Sequence, residues 1–395
     1  MSLLLLLLLW ACSGDPTGPG SGKNGIPEVE KTNTTKVYMH YMPWFESKPF
    51  SGYWGTHWTM ANRNPDNILQ NGQREIASHY YPLIGPYDSQ DPAVIEYHLL
   101  LMKYAGIDGV LVDWYGTHRL NDYFTNLANS NAFIERTGEV GLDFGIVYEE
   151  FTAGNVGRQQ SQSDIEAAQK DIGYIESKYF SSDNYINVEG NPLLLTFGPR
   201  HFTSESDWNE VLSAFEKDPV FMPLWGHENL VGEGADGTFS WVDFNESLSE
   251  LASFYSNGPE GEFQIGSAYP GFHDYYVEGD WGNSYGYVDL EDGQTLRNTL
   301  QKAEEHSVDY LQLVTWNDFG EGTMIEPTVE FEFLFLEIIQ EYTGVAYGRA
   351  ELELVYEYYQ ARKEFGEDKP EEIALIFDAL VTLETEKAAR LLGEL

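Results

Sequence analysis

Three carboxylates lie within nine residues of one another in the segment "TWNDFGEGTMIEPT" (315–328), directly after the apolar run "DYLQLV". They are Asp318, Glu321 and Glu326. Hydrolysis of a glycosidic bond needs one carboxylic acid that protonates the leaving oxygen and a second carboxylate beside the reacting centre. Asp318 and Glu321 lie three residues apart on a turn that leaves a predicted strand, so they suit such a pair. Glu326 is further along the loop, and we expect it to orient Glu321 or to cap the loop.

The elements that must position these residues are short apolar runs that alternate with segments of helical period. Seven runs are predicted strands: 36–44, 109–116, 144–151, 192–199, 220–227, 264–272 and 310–320. Such alternation implies parallel strands joined by helices. Strands that start apolar and end polar are typical of a (β/α)₈ barrel, whose active site lies at the C-terminal strand ends. An open doubly wound sheet remains the alternative because an eighth strand is not identified, although no dinucleotide-binding glycine fingerprint follows the first strand.

Aromatic and polar side chains recur at the ends of the other predicted strands. We select Tyr41, Trp114, Glu149, Trp225, Tyr269 and Asn317 as candidate substrate-binding residues. Aromatic faces stack on the apolar faces of sugar rings, and carboxylates bind hydroxyl groups. Each aromatic residue alone also suits core packing, so only the joint pattern predicts a carbohydrate site.

Composition and charge limit the classes of partner. The chain has 395 residues, of which 42% are hydrophobic, enough to bury a large core. Its 22 Lys and Arg oppose 64 Asp and Glu, for a formal net charge of −42, which would repel a nucleic acid. We predict one catalytic domain over residues 35–395, with a helical C-terminal extension from about residue 329.

The N-terminus "MSLLLLLLLWACSGD" has an apolar run that is too short to span a bilayer and suits a signal peptide. Residues 9–12 resemble a bacterial lipobox, and Cys12 is the only cysteine in the sequence. We therefore predict a lipoprotein signal over 1–12, lipidation of Cys12 and a Gly- and Pro-rich flexible tether over 13–34. These features predict a cell-envelope location in which only the lipid anchor contacts the membrane; a cleaved secretion signal remains the alternative.

Several segments together resemble glycoside hydrolase family 99 and its neighbour family 71. They are "HYMPWF", "SGYWGTHWTMANRNPD", "SHYYPLIGPYDSQDP", "IDGVLVDWYG", "IVYEE" and "WNDFGEGTMIEP", and the resemblance runs from about residue 36 to 330. Family 99 enzymes are (β/α)₈ barrels that cleave α-mannosidic bonds inside glycan chains with retention of configuration. The resemblance thus implies an endo-acting hydrolase of mannan or N-glycan-type polysaccharide.

The family motif Asn-Glu-x-x-Glu-Gly-Thr-x-Ile-Glu matches this chain at Asn317, Glu321 and Glu326, whereas Asp318 replaces its first Glu. In the family, the first carboxylate is thought to deprotonate the sugar's own 2-hydroxyl, which attacks the anomeric carbon to give a 1,2-anhydro sugar. The second acts as general acid and then as base. The resemblance therefore implies that Asp318 is an ionised base and that Glu321 is an acid with a raised pKa. Because Asp is one methylene shorter than Glu, the substrate or mechanism can differ.

The resemblance also implies roles for binding residues. Glu149 would bind a sugar hydroxyl, Trp114 would be a stacking platform and Tyr269 would lie near the acid. His57, in the loop "YWGTHWTM", is a further candidate for substrate binding, with a structural loop role as the alternative.

Other classes of function remain open. Within the superfamily, an exo-acting xylosidase or arabinosidase, or an α-glucanase, is the main alternative, and a non-catalytic glycan-binding lipoprotein would share the aromatic residues. The nine His include no H-E-x-x-H pair, which disfavours a zinc hydrolase. We expect no cofactor and no catalytic metal.

Overall fold

The computed structural model describes residues 25–160, 162–257 and 263–395. The predicted signal peptide, Cys12 and the first part of the predicted tether lie outside these ranges, so lipidation and the envelope location stay predictions. Among the described residues, no helix combines the length and apolar content needed to cross a bilayer.

Eight parallel strands form the centre of the fold. They are β1 (Lys36–Tyr41), β2 (Gly109–Trp114), β3 (Asp143–Tyr148), β5 (Asn191–Thr196), β6 (Val220–Pro223), β7 (Gly237–Phe239), β8 (Phe263–Ala268) and β11 (Tyr310–Leu313). Each strand pairs with the next in this order, β6 meets β7 through one parallel bridge between Leu224 and Phe239, and β11 returns to β1. The ring of strands therefore closes, which confirms the predicted (β/α)₈ barrel and excludes the open sheet.

The strand that the sequence did not reveal is β7, which has only three residues, "GTF". Three residues are too few for a periodic signal. Gly237 is required there because a Cβ atom would lie 1.8 Å from the carbonyl oxygen of Phe263 on β8. The run at 310–320, counted as the seventh strand, is consequently the eighth strand of the barrel.

Helices and short strands surround the barrel. The helices are α1 (Lys48–Ser51), α2 (Thr56–Thr59), α3 (Pro92–Tyr104), α4 (Tyr123–Val140), α5 (Phe151–Gln160), α6 (Asp164–Lys178), α7 (Glu205–Leu212), α8 (Glu228–Val231), α9 (Ser249–Asn257), α10 (Gln294–Glu305), α11 (Leu334–Thr343), α12 (Arg349–Phe365), α13 (Pro370–Val381) and α14 (Thr385–Leu392). Outside the ring of parallel strands, β4 (Asn187–Val188) pairs with β5, and β9 (Phe272–His273) pairs with β10 (Tyr287–Val288). The C-terminal helices form an outer layer in which α12 packs on α3.

The barrel strands alternate between two apolar surfaces, as the period of a strand requires. Leu111, Val147 and Leu195 point into the barrel, where they form one buried cluster. Val110 and Val112 point outwards to the helices and belong to the other cluster. This alternation decides which residue at each strand end can reach a substrate.

The predicted tether over 13–34 is shorter than expected, because residues 26–34 contact the barrel. Burial lowers the pKa of Lys103 to about 8, and its Nζ donates to the carbonyl oxygen of Pro27 at 2.8 Å. The Asn33 N–H donates to a carbonyl oxygen at the end of α11 at 3.1 Å. The folded domain thus begins near Ile26 rather than at residue 35.

Two truncations should therefore differ in stability. Deleting residues 1–24 is expected to leave the free energy of unfolding unchanged, whereas deleting 1–34 should lower it by about 1–3 kcal/mol. The longer deletion removes one of the two carbonyl oxygens that accept from Lys103, that of Pro27, and leaves that of Val140; it also removes the ion pair between Lys31 and Asp108. Urea unfolding of both proteins measures the difference, and equal stability would contradict a structural role for residues 26–34.

Candidate active site

A cavity of about 840 Å³ opens at the C-terminal ends of the barrel strands. Its size is that of a site for a ligand larger than a single sugar ring. Polar side chains at the strand ends and aromatic side chains of the surrounding loops line it; the first group includes His40, Asp113, Glu149, Asp318 and Glu321.

Asp318 and Glu321 lie on the tight loop that follows β11. The Asp318 N–H donates to Thr315 Oγ1 at 2.8 Å, and Asp318 Oδ1 accepts from the Glu321 N–H at 2.8 Å. The Asp318 side chain is buried against the loop, and Glu321 is partly exposed to the cavity. Gly322 has φ +67°, and a Cβ there would lie 2.6 Å from a backbone oxygen of β9, so this turn requires glycine. The loop therefore holds both carboxylates at the cavity in a fixed relation.

Tyr276 is a third member of this group, and the sequence did not reveal it. It lies on the loop between β9 and β10, and its hydroxyl donates to Glu321 Oε1 at 3.0 Å. The neighbouring Tyr275 N–H donates to the Gly320 carbonyl oxygen at 2.8 Å, which fixes the two loops to each other. The only sequence signal was the aromatic content of the loop, "DYYVEGDWGNSYGY" (274–287).

The electrostatics of the pair favour proton transfer near neutral pH. Burial raises the pKa of Asp318, opposed by hydrogen bonds from backbone N–H groups. Burial and the charge of Asp318 raise the pKa of Glu321, opposed by the Tyr276 hydroxyl and by Arg200. Asp318 was expected to ionise without such a shift, but its burial raises its pKa as well. Backbone N–H groups stabilise the ionised form of Asp318, whereas the charge of Asp318 destabilises the ionised form of Glu321. Glu321 therefore keeps its proton to a higher pH than Asp318 does.

These shifts predict that the pair destabilises the fold at high pH. An unfolded Glu titrates near pH 4.3, so above that pH the unfolded state loses a proton that folded Glu321 still holds. Stability therefore falls as the pH rises from the unfolded to the folded pKa of Glu321. Glu321→Gln should be no more stable than the wild type near pH 4 but more stable at pH 8, by at least about 1.4 kcal/mol, the equivalent of one pKa unit.

Chemical unfolding of both proteins at the two pH values tests this. Glu364→Gln, at an exposed position on α12, is the matched control and should show no such pH-dependent gain. A Glu321→Gln protein without a larger gain at pH 8 than at pH 4 would contradict the assignment.

Two of the predicted substrate-binding residues line the cavity with the pair. His57 stacks on Trp44 with ring centroids 4.1 Å apart, and its Nε2 lies 3.7 Å from Asp122 Oδ2. Glu149 lies at the end of β3, 3.9 Å from the guanidinium of Arg200. Both side chains border the cavity, so both stay candidates for contact with a substrate.

Four other predicted residues do not line the cavity, which corrects the sequence-based selection. Tyr41 stacks on a ring of α4, Phe133, at 3.9 Å, and the Trp114 indole N–H donates to Tyr179 at 3.2 Å; both are fully buried between barrel and helices. The Tyr269 hydroxyl donates to a backbone oxygen behind the cavity wall, and Trp225 packs on helix α9. Tyr41 and Trp114 are each one residue out of phase with the inward side of their strand.

Asn317 and Glu326 lie beneath the loop and not in the cavity. Asn317 accepts from the Met42 N–H at 2.9 Å and donates to the Met42 carbonyl oxygen at 3.0 Å, so it fastens the loop to β1. Glu326 is fully buried and accepts from the Tyr87 hydroxyl at 2.6 Å. Neither position suits direct contact with a substrate, and no hydrogen bond within the described ranges joins Glu326 to Glu321.

Several cavity residues lie at positions that the sequence analysis did not select. Asp113 and Tyr115 flank Trp114 and point inwards, as does His40 beside Tyr41. Burial lowers the pKa of His40 to about 4, so its imidazole is neutral. Within the described residues, no three His, Cys, Asp or Glu are arranged to hold a metal ion.

Comparison with known proteins identifies the family of the chain and supports the barrel fold. The family model of glycosyl hydrolase family 99 matches residues 33–339. The glycoprotein endo-alpha-1,2-mannosidase-like protein of Homo sapiens is 24% identical over 74% of this chain and 68% of its own length. The glycoprotein endo-alpha-1,2-mannosidase of Mus musculus is 22% identical over 78% of this chain and 73% of its own.

The solved structure of an endo-alpha-mannosidase of family 99 from Bacteroides thetaiotaomicron has a similar fold. The TM-score is 0.61 at 19% identity, and the alignment covers 82% of this chain and 99% of that one. The match of the family model to residues 33–339, which is more than half of the chain, shows that the chain is a glycoside hydrolase. It belongs to glycosyl hydrolase family 99.

Proposed function

We propose that this glycoside hydrolase cleaves α-mannosidic bonds inside a mannan or an N-glycan-type polysaccharide, with retention of configuration. The observation that carries the proposal is the geometry of Asp318 and Glu321, two cavity carboxylates fixed by one loop, with the Tyr276 hydroxyl on Glu321. The names of the relatives support the choice of mannose. The envelope location is part of the proposal and rests on the sequence around Cys12 alone.

The proposed reaction has two steps. In the first, Asp318 takes the proton of the substrate's 2-hydroxyl, whose oxygen attacks the anomeric carbon while the glycosidic C–O bond breaks. Glu321 gives its proton to the leaving oxygen, and a 1,2-anhydro sugar forms. In the second step, Glu321 takes a proton from water, the water oxygen opens the three-membered ring at the anomeric carbon, and Asp318 returns its proton to the 2-oxygen.

The replacement of the family's Glu by Asp318 fits this scheme if the sugar lies deeper. A base must come within about 2.6–3.2 Å of the group that it deprotonates. Because Asp318 is short and its Oδ1 accepts from the backbone of the loop, its carboxylate stays close to the cavity floor. The sugar must therefore approach about one methylene closer to β11 than it would with a Glu.

Internal cleavage requires space for sugars on both sides of the broken bond. The cavity volume of about 840 Å³ provides such space. At its mouth, the Trp281 and Tyr285 side chains are 50% and 71% exposed, on the same loop as Tyr276. Exposed aromatic rings beside an acid are suited to stack on the leaving portion of a glycan chain.

Trp281→Ala is therefore expected to reduce kcat/KM on long glycans by about 2- to 13-fold, the loss of about 0.5–1.5 kcal/mol of stacking. A short aryl glycoside that does not reach Trp281 should be cleaved as before. Tyr287→Ala, a similarly exposed aromatic on β10 outside the cavity, is the matched control. An equal loss on both substrates would contradict a stacking role.

The proposal is tested with a panel of α-mannans, xylans, arabinans and α-glucans and with sizing of the products. We expect short oligosaccharides of mixed length from α-mannan as the first products. Release of single sugars from chain ends, or cleavage of xylan, arabinan or α-glucan in place of α-mannan, would contradict it.

A further inference from the structure

Asp113, at the end of β2, carries a buried oxygen that lacks a partner. Its side chain is 1% exposed and lines the cavity. Its Oδ2 has no hydrogen-bond partner among the described residues. Glu149, on the neighbouring strand β3, repeats the pattern: it is 7% exposed, and its Oε2 also lacks a hydrogen bond. Two carboxyl groups that line the same cavity from adjacent strands thus each have one buried oxygen without a hydrogen bond.

Such oxygens are uncommon in folded proteins, because a buried polar atom without a partner destabilises the fold. The nearby cation does not supply their missing hydrogen bonds. Arg200, the only Lys or Arg among the described residues that line the cavity, lies 3.9 Å from Glu149, which is beyond hydrogen-bond distance. A bound molecule with hydrogen-bond donors would satisfy both.

The cavity also selects the charge of that molecule. Asp113, Glu149, Asp318 and Glu321 face one guanidinium, that of Arg200. Burial, and after it the charge of Glu149, raise the pKa of Asp113, so negative charge is already disfavoured among these carboxyl groups. A phosphate, sulfate or carboxylate group placed between them would be disfavoured for the same reason. A neutral sugar has hydroxyl groups that donate to carboxyl oxygens and carries no charge.

We propose that Asp113 is a specificity-determining residue, which with Glu149 binds two neighbouring hydroxyls of a neutral sugar ring and excludes a ring that bears an acidic group there. The inference rests on the proposed function and adds Asp113 to the hydroxyl-binding role expected of Glu149. Adjacent parallel strands place the two residues side by side: Asp113 is paired with Val147, two residues before Glu149. The two carboxyl groups therefore suit two hydroxyls on adjacent carbons.

The test is a double-mutant cycle between the protein and the substrate. Asp113→Asn keeps the shape and replaces the carboxyl group by an amide that cannot ionise, and each substrate in a set of α-mannosides lacks one ring hydroxyl other than the 2-hydroxyl. We expect Asp113→Asn to lower kcat/KM on the unmodified substrate about 10-fold or more, mainly through KM. For one particular deoxy substrate, the wild type should lose a similar factor, whereas Asp113→Asn should lose little more.

Asp122→Asn is the matched control, because Asp122 is a cavity carboxylate paired with His57. It makes the same change of side chain and should not couple to that hydroxyl. A substrate with a phosphate in place of the same hydroxyl provides the second readout, and Asp113→Asn should raise its cleavage relative to the unmodified substrate about 10-fold.

The inference would be overturned if, for every deoxy substrate, the loss from Asp113→Asn and the loss from the missing hydroxyl simply multiplied. A merely structural role of Asp113 gives that result, even though Asp113→Asn is then less active. Unchanged discrimination against the phosphorylated substrate would overturn the charge exclusion. Failure of the wild type to cleave any α-mannan would instead remove the proposed function, and with it this inference. The two failures are therefore distinguishable.

Discussion

Glu321→Gln is expected to lower kcat on natural glycans by roughly 10²- to 10⁴-fold, the usual contribution of a general acid. Glutamine keeps the size of the side chain and can still accept the hydrogen bond from Tyr276, so the loop should stay in place. Substrates with activated leaving groups, such as aryl glycosides with a low leaving-group pKa, need little protonation. The variant should therefore retain much more activity on them.

Asp318→Asn should lose activity on both kinds of substrate. An amide cannot take the proton of the 2-hydroxyl, and a better leaving group does not replace that step. Glu364→Gln is the surface control and should match the wild type on both substrates. Steady-state kinetics on a natural glycan and an aryl glycoside separates the roles, and an equal loss for Glu321→Gln on the two substrates would contradict its role as the acid.

Glu326→Ala is expected to destabilise the fold more than a substitution at the cavity surface. The Glu326 carboxyl is fully buried, accepts from Tyr87 at 2.6 Å and lies 3.3 Å from His98 Nε2. Tyr87 in turn accepts from the amide of Asn317 at 3.1 Å. Removing Glu326 leaves the buried Tyr87 hydroxyl without its acceptor and opens a cavity, so the free energy of unfolding should fall by about 3 kcal/mol.

Urea unfolding measures this loss, with Glu326→Gln and Glu330→Ala as controls. The Gln side chain preserves the volume and should lose less, and Glu330 is exposed, so its removal should cost under about 1 kcal/mol. Activity per folded molecule should fall only modestly for Glu326→Gln. A Glu326→Gln protein with full stability and no activity would instead place Glu326 in the chemistry.

The positions predicted most successfully from the sequence are those that short-range patterns determine. Asp318 and Glu321 lie on a glycine-containing turn directly after an apolar strand, and the Glu321 N–H donates to Asp318 within that turn. The barrel followed from the alternation of strands and helices. Of the eight barrel strands, only β7 was missed, because its three residues are placed by close contact between Gly237 and β8.

The substrate-binding residues were harder to predict, because the side that a strand residue faces depends on its phase. A shift of one residue exchanges the inward and outward sides. The aromatic residues Tyr41 and Trp114 were predicted to bind substrate, but the inward positions beside them belong to His40 and Asp113. The buried oxygens of Asp113 and Glu149 can be recognised as unpaired only in the folded structure.

Contacts between distant loops could not be predicted from local patterns. Tyr276 precedes Glu321 by 45 residues, and Lys103 contacts Pro27 across 76 residues. No periodicity signals such pairs. The contact between Lys103 and Pro27 also explains why the predicted tether was too long. A Gly- and Pro-rich sequence indicates flexibility, but a hydrogen bond from a buried lysine to a backbone carbonyl oxygen can still hold such a segment in place.

The mechanism proposed for Asp318 and Glu321 is cleavage of an α-mannosidic bond through the substrate's own 2-hydroxyl. Proton NMR of the first product released from an α-mannan oligosaccharide tests it most directly, because the anomeric signals of the new reducing end are recorded before mutarotation. We expect the α anomer to appear first and the β anomer to follow by spontaneous equilibration. Initial appearance of the β anomer would mean inversion by an activated water molecule and would contradict this mechanism.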